Sequence, residues 1–479
     1  MLKSLVYMYR LRFAQTIIYM LQATEYDVKT YLGWLWRVKD FEKVSYRRSL
    51  IKTRRSSMLL LAIKLGMLVQ FVVAIAWATL AIKNKEPNGI FAVDLFLSTP
   101  LVWSHLVVLP LVLARWFWVQ PLNRVDVGRS KKSFEKHQAI KIAVAGSYGK
   151  TTMKEILYTV LSSDSKKVAA TPANKNVAIS HAQFAKQLEG DEDILIIEFG
   201  EGAPGDVAAF CRTVKPSIGI ICGLAPAHLD KYKTLQAAGE DIFSLADYLG
   251  HKNIYVNGES EALKSFLKPG HQLYDGRQAA GWAIKAAKSS INGLSFEMTK
   301  AGKSLKIKSQ LIGEHQIGPL ALAAALADKL GLTKEQIEKG ISRVESFEHR
   351  MQPRQVDGAY IIDDTYNGNI DGMLAGLKLL KSLPAKRKIY VTPGLVDQGS
   401  ESPAIHQRLG KAIAGSDADL IVLMKHSVTD DIVAGIKQGK FKGELKIEKD
   451  PLNFYTNLDQ FVAAGDLVLM QNDWPDNYN

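Results

Sequence analysis

Seven consecutive residues, Gly146-Ser147-Tyr148-Gly149-Lys150-Thr151-Thr152, combine two glycines, a lysine and four hydroxyl groups close to a chain reversal. Glycines let backbone N–H groups approach an anion closely, and a helix starting directly afterwards adds the positive end of its dipole. Lysine and threonine supply a mobile positive charge and an oxygen ligand for Mg²⁺. The combination suits a nucleotide's terminal phosphates, with Lys150 bridging the β- and γ-phosphates and Thr151 ligating the metal. Only two residues separate the glycines, where the common phosphate loop has four, and the plainer alternative is an exposed turn after a strand. The flanks favour the phosphate loop: Lys141–Ala145 reads as an apolar strand and Met153–Leu161 as a helix.

The elements that position this loop follow a strand–helix alternation that begins near residue 136. Ile194-Leu-Ile-Ile-Glu198 is an apolar strand ending in a carboxylate, and Ile218-Gly-Ile-Ile-Cys222 is another, followed shortly by His228. Open α/β sheets bind ligands at the carboxyl ends of their strands. Glu198 and His228 therefore fall where a ligand is expected, although a lone histidine is more often structural. Further strands are expected near Tyr360–Asp363, Lys388–Thr392, Leu420–Met424 and Leu467–Met470. Two cysteines, Cys211 and Cys222, fit no metal spacing and no disulfide framework; they read as reduced thiols of a cytosolic compartment.

The net charge of +13 resembles a nucleic-acid signal until it is located. Residues 1–135 carry 20 Lys and Arg against 8 Asp and Glu, and the remaining 344 carry 41 against 40. The excess lies away from the phosphate loop, so no nucleic-acid partner is expected. It flanks two uncharged apolar stretches, about 65–82 and 95–114, each close to the roughly 20 residues a helix needs to cross a bilayer. Pro87-Asn88-Gly89 supplies a turn between them, and Trp77, Trp103, Trp116 and Trp118 are candidate interfacial anchors. The basic flanks (Arg47, Arg48, Lys52, Arg54 and Arg55 before; Arg115, Arg124, Arg129, Lys131 and Lys132 after) place both ends inside. The expectation is a cell-membrane localisation, catalytic domains facing the cytoplasm, with membrane lipid as a partner of the hairpin. Two buried helices of a soluble domain are the alternative. Residues 1–46 mix aromatic and basic side chains and read equally as an interfacial helix or a small packing module.

The phosphate loop resembles the ATP loop of the Mur ligases, and further blocks of that family follow in order over roughly residues 136–479. Thr171-Pro-Ala-Asn174-Lys-Asn176 resembles the asparagine-rich substrate loop, and Ile194-Leu-Ile-Ile-Glu198-Phe-Gly200 the strand ending in the Mg²⁺-binding glutamate. Ala227-His228-Leu-Asp230 is similar to the Ala-His-Leu block near a second metal, and Gly313-Glu-His315 to the start of a Gly-x-His-Asn block. Arg350 with Ile362-Asp363-Asp364-Thr-Tyr366-Asn367 resembles the nucleotide-contacting part of the C-terminal domain, and Thr392-Pro-Gly394-Leu with His406 a later loop. The expected fold is α/β: an N-terminal membrane module (1–135) built on the transmembrane helical hairpin read above, followed, as the resemblance implies, by a P-loop Mur ligase central ATP-binding domain (136–345) and a Rossmann-like C-terminal domain (346–479).

The resemblance implies an ATP- and Mg²⁺-dependent carboxylate–amine ligase of peptidoglycan precursor synthesis, working through an acyl phosphate. It implies the branch that adds D-alanyl-D-alanine to a muramoyl-tripeptide, so the partners are a cell-wall precursor and an amino acid or dipeptide. The implied catalytic set is Lys150, Glu198, His228 and Arg350, with Thr151, Glu198 and His228 as metal ligands. Gly146, Ser147, Gly149, Lys150, Thr151, Thr152, Asp363, Asp364, Tyr366 and Asn367 would hold the nucleotide, and Asn174 and Asn176 the substrate. Asp364 would accept from the ribose, or Asp363 in its place, since neighbours on a strand face opposite ways. Tyr366 would pack on adenine. Arg350 would set a fixed positive charge against the transferring phosphoryl group.

Four departures bear on substrate. The N-terminal region takes the place of the family's UDP-sugar domain, which opens a second reading: a lipid-linked precursor or a growing poly-amino-acid. No lysine lies between Lys233 and Lys252, where the family commonly carries a carbamoylated one; Glu240 or Asp241 could supply a carboxylate instead. Gln316 and Pro319 replace the asparagines expected near adenine, and Gln471-Asn-Asp-Trp-Pro-Asp-Asn-Tyr-Asn479 replaces the usual ending. These losses also admit a third reading, a non-catalytic nucleotide-binding scaffold of the cell envelope.

Overall fold

The computed structural model describes residues 6–44, 50–85, 89–162, 166–173, 175–226, 229–366, 368–395 and 398–472. The chain divides into two compact units, one reaching to Arg124 and the other beginning at Val125. The expected turn residues Pro87 and Asn88, the basic residues Arg47 and Arg48, and the tail from Asp473 lie outside the described residues.

The first unit is helical. Leu11–Ala23 and Val28–Arg37 repeat apolar residues at helical spacing, and these side chains share one core with the apolar helices that follow: Phe13, Ile17, Ile18, Tyr31 and Trp34 are buried together with Leu59, Ile63 and Leu111. Phe13 and Phe41 meet edge to face at 5.2 Å between ring centroids. Arg54–Asn84 is a 31-residue helix opened by a capping box of Thr53 and Ser56. Gly89–Leu106 is its neighbour. Pro110 lacks an N–H for the helix ladder, and the helix breaks at Val107–Val108 before resuming at Leu109–Ala114. It continues through a wide turn, Arg115–Val119, into Gln120–Lys136, well past the end expected at residue 114.

These helices are long and apolar enough to cross a membrane by length and composition alone, a test that core helices of soluble proteins also pass. Trp103, expected at an interface, is instead a packing residue. Its ring fills the space beside Gly66, where any Cβ would strike it, and its Nε1 donates to Gln70 Oε1 at 2.8 Å. Gln70 in turn donates to the Leu95 carbonyl at 3.0 Å. Trp77, Trp116 and Trp118 are exposed.

The second unit holds two sheets. The larger runs in spatial order Val168–Ala170, Ile194–Glu198, Ile140–Ala145, Ile218–Ile221, Ile254–Asn257 and Gln272–Tyr274, all parallel. It then continues antiparallel through Gln278–Ala279, Trp282–Ser290, Gly293–Lys300 and Lys303–Ser309. The central parallel strands are near-continuous apolar runs because both faces are covered. Ile142, Val144, Ile196 and Ile220 pack on the Lys150–Leu161 and Ile317–Lys329 helices, while Ala143, Leu195 and Ile197 pack on the opposite layer with Phe210. The order reverses about Ile140–Ala145, the topological switch that opens a crevice at a strand's carboxyl end.

The smaller sheet runs Gln352–Val356, Ala359–Asp364, Asp466–Gln471, Arg387–Thr392, Leu420–Met424 and Glu444–Glu448, antiparallel only at its first pair. The four strands expected here form within a residue of their expected bounds. Cys211 and Cys222 are free and buried, and burial pushes both thiols up to about 12.

Candidate functional site

The loop leaves the Ile140–Ala145 strand at Gly146, whose φ of +134° and contact with the next strand both require glycine: a Cβ there would lie 2.9 Å from the Gly223 backbone. Ser147 N–H donates to the Gly223 carbonyl at 2.7 Å. Gly149, at φ +79°, caps the Lys150–Leu161 helix. The helix start thus stands at the switch point of the larger sheet, beside the end of the strand that carries Glu198.

Four of the expected residues converge there. Thr151 Oγ1 donates to Glu198 Oε1 at 3.2 Å, and Asn176 Nδ2 donates to the same oxygen at 3.1 Å. Lys150 Nζ donates to the Gly146 carbonyl at 2.5 Å and to Glu201 Oε2 at 2.8 Å. Ser147 Oγ and Glu198 Oε2 are buried without a hydrogen-bond partner, two polar atoms that a bound ion, ligand or water would satisfy. A hard cation fits this donor set, a carboxylate oxygen and a threonine hydroxyl, provided phosphate oxygens and water complete its shell. Among the described residues no group of three His, Cys, Asp or Glu side chains could hold a metal unaided.

Behind the loop, Lys154 is fully buried. It donates to the carbonyls of Thr171 (2.8 Å) and Ala173, and stands 3.7 Å from Glu198 Oε2. It follows Lys150 by four residues, one helical turn, so the spacing was available in the sequence. Glu201 and Lys154 are the charged partners of this site that residue types alone did not single out. His181 also supports it: its Nε2 lies 2.9 Å from the Glu198 carbonyl, and burial pulls the imidazole down to about 4, leaving it a neutral donor.

A cavity of about 360 Å³ opens beside the loop, bordered by Gly149, Thr152, His315, Arg350, Asp364 and Tyr366. The Arg350 guanidinium lies 4.5 Å from the centre of the Tyr366 ring. Asp364 accepts from Gln471 Nε2 at 2.8 Å and from Met351 N–H at 3.2 Å; burial raises its carboxyl to about 6. Asp363 faces the other way, to His349 Nδ1 at 2.8 Å and Thr365 Oγ1 at 2.7 Å, so Asp364 is the one on the cavity wall. Gln316 and Pro319 line the cavity too, and Gln316 Nε2 donates to His315 Nε2 at 3.0 Å. Asn472 holds the nearby chain, accepting from Gly368 N–H at 3.1 Å. His406 is away from the loop, accepting from Leu395 N–H at 3.0 Å. His228, Asn174 and Asn367 lie outside the described residues.

The carboxylates offered as stand-ins for a lysine are otherwise engaged. Asp241 accepts from Tyr232 Oη at 2.8 Å and Gly205 N–H at 2.9 Å, and Glu240 accepts from Gln236 at 3.0 Å. The Phe266 ring occupies the space a side chain at Gly239 would need.

Residues 144–327 match the Mur ligase middle domain, and residues 349–471 match the Mur ligase glutamate ligase domain. A relative from Synechocystis sp. called "UDP-N-acetylmuramoyl-tripeptide--D-alanyl-D-alanine ligase" is 31% identical over 301 residues, covering 61% of this chain and 64% of the relative. One of the same name from Haemophilus influenzae is 28% identical, covering 62% and 67%. The chain thus spans somewhat under two thirds of the Synechocystis relative's length. Among solved structures, a MurF ligase from Thermotoga maritima in complex with ADP superposes with a TM-score of 0.64 at 21% identity, covering 73% of this chain and 80% of that one. MurF from Acinetobacter baumannii gives 0.63 at 20% identity, covering 74% and 78%. At such identities these two establish the fold. The matches to Mur ligases overturn the expected cell-membrane localisation; the apolar N-terminal helices meet that expectation only in length and composition. With both catalytic-core domains matched over most of residues 144–471, the chain belongs to the Mur ligase family.

Proposed function

We propose that this chain is an ATP- and Mg²⁺-dependent ligase that joins a carboxylate to an amine, adding D-alanyl-D-alanine to a muramoyl-tripeptide in peptidoglycan precursor synthesis. The observation that carries the reading is the convergence of Lys150, Thr151 and Glu198 at the switch point, with no hydrogen bond made to Glu198 Oε2. The relatives' shared name supplies the substrate pair.

Residues 146–152 act as the phosphate loop of a central domain of about 136–345, with the nucleotide held between it and a C-terminal domain of about 346–479. Backbone N–H groups from Gly146 to Thr152 cradle the phosphates, and Lys150 bridges the terminal pair. Thr151, Glu198 and His228 would hold Mg²⁺, which when bound would supply charge neutralisation to the phosphates. Arg350 sets its charge against the γ-phosphoryl group, Asp364 accepts from the ribose, Tyr366 and Asn367 border the nucleoside, and Asn174 and Asn176 hold the acceptor. The acceptor carboxylate attacks the γ-phosphorus and ADP leaves. The amine nitrogen then attacks the acyl phosphate, loses a proton, and phosphate departs. This chemistry needs positioning and charge more than a strong base.

The test supplies the protein with ATP, Mg²⁺, UDP-muramoyl-tripeptide and D-alanyl-D-alanine, and looks for pentapeptide by mass spectrometry. Lys150→Ala abolishes turnover while the melting curve stays cooperative. Turnover retained in that variant, or phosphate release indifferent to added amine, refutes the reading.

A further inference from the structure

The phosphate loop carries one large side chain, Tyr148, and it reaches across to the smaller sheet's domain. The loop backbone is fixed on either side by Gly146 and Gly149, both at positive φ, and by the bond from Ser147 N–H to Gly223. The Tyr148 ring lies directly against Gly223, where any Cβ would strike it. That packing directs the hydroxyl outward, and it donates to Asp371 Oδ2 at 3.2 Å, 223 residues along the chain.

Asp371 is itself held. It sits in the first turn of the Ile370–Ser382 helix, whose start is capped by Asn369 accepting from Gly372 N–H at 3.0 Å. Gln471 Nε2 joins the Gly372 carbonyl (3.3 Å) to Asp364 (2.8 Å). A rigid path therefore leads from the loop through Tyr148 and Asp371 to the cavity wall that bears Asp364. Both Tyr148 and Asp371 border that cavity. Another polar link between the same two domains, Lys378 to Glu314 at 2.7 Å, joins side chains 74% and 59% exposed, a kind of pair that contributes little. Burial, with the neighbouring Asp371 carboxylate, raises the Tyr148 phenol well above its ordinary range against the opposing effect of a hydrogen bond with Ser260, so it remains a donor at any working pH.

We propose that Tyr148 is a positioning residue: its hydroxyl, clasping Asp371, holds the C-terminal domain at the working distance from the phosphate loop, so that Arg350 and Asp364 face Lys150 and Glu198. The inference rests on the ligase reading above. It assigns the loop's aromatic side chain a role in aligning the two halves of the nucleotide site, separate from phosphate binding.

The test uses the full chain with Tyr148→Phe, Asp371→Ala, Asp371→Asn and the Phe/Ala double variant. Tyr148→Phe keeps the ring on Gly223, so its melting temperature stays at the wild-type value and ADP binding changes by less than about twofold. Its kcat for amine-dependent phosphate release falls roughly tenfold, as expected when a single charge-assisted bond that sets alignment is lost. Asp371→Ala matches it, the double variant is no worse than either, and Asp371→Asn, which keeps an accepting oxygen, recovers most of the rate. Wild-type kcat in Tyr148→Phe, or multiplying losses in the double variant, overturns the clasp. A second measurement is independent of turnover: amide exchange over 146–152 and 370–376 rises in Tyr148→Phe and Asp371→Ala alike. Unchanged exchange also overturns the clasp, whereas a wild-type chain with no turnover but with exchange that responds to these variants defeats the ligase reading alone.

Discussion

Replacing Glu201 with glutamine removes a negative charge from beside the Lys150 ammonium while leaving the bulk in place. In the present arrangement that ammonium is held by Glu201 Oε2 at 2.8 Å and the Gly146 carbonyl at 2.5 Å, with side chains only 10% and 5% exposed. A terminal phosphate that takes Lys150 must draw it away from the carboxylate. Hydrogen bonds to charged groups contribute about 1.5–3 kcal/mol, so relieving this competition tightens nucleotide binding roughly ten- to a hundredfold. The empty variant pays on the other side. Breaking a buried ion pair costs about 3–5 kcal/mol, reduced here because the Gly146 carbonyl and the new amide oxygen still accept from Lys150. Glu201→Gln should therefore melt lower than wild type without nucleotide and gain more from ADP. Calorimetric titration with ADP and Mg²⁺, paired with melting curves with and without nucleotide, reads both effects. Unchanged or weaker ADP binding in a cooperatively folded variant would show that no phosphate displaces Glu201 from Lys150, and would refute the reasoning.

Other perturbations follow from the packing and the buried charges. The folded state holds the Asp364 proton up to about pH 6 against 3.8 for an ordinary aspartate. Its stabilising contribution is complete below pH 4 and is lost as pH rises through 6, so the stability of Asp364→Asn relative to wild type should improve by on the order of 2 kcal/mol between pH 4 and pH 7.5 in urea titrations; a flat difference would contradict this. Gly66→Ala drives a methyl group into the Trp103 ring and should destabilise the helical unit by about 1–3 kcal/mol, seen as a lower melting temperature. Gly239→Lys, which would restore a lysine near its family position, must displace Phe266. It should lower stability by a similar roughly 1–3 kcal/mol without raising turnover, and a faster, equally stable variant would show that the helix can shift to admit it.

The loop was legible because each constraint on it is local. An apolar strand, glycines at the reversal and a helix directly after are all written within residues 140–161. Glu198 was legible for the same reason, as the carboxylate that ends an apolar run. Lys154 was not, because a lysine on a helix ordinarily faces water, and its burial depends on carbonyls at Thr171 and Ala173 that arrive from a separate segment. Glu201 depends likewise on the path of the chain after the Ile194–Glu198 strand. Trp103 was assigned to an interface on its type, but its partner Gly66 lies on another helix, and no local pattern joins the two. The missing lysine was visible from the sequence; that Phe266 fills its place could be seen only once the chain was folded.

The Asp466–Gln471 strand lies in the interior of the smaller sheet, paired on one side with Ala359–Asp364 and on the other with Arg387–Thr392. During synthesis these neighbours leave the ribosome long before it does, and each carries an open edge until it arrives. Open strand edges invite pairing with other chains, so the nascent protein passes through a stretch of about a hundred residues in which chaperone protection matters most. The wall behind the Asp364 carboxylate is assembled only when residue 471 has emerged.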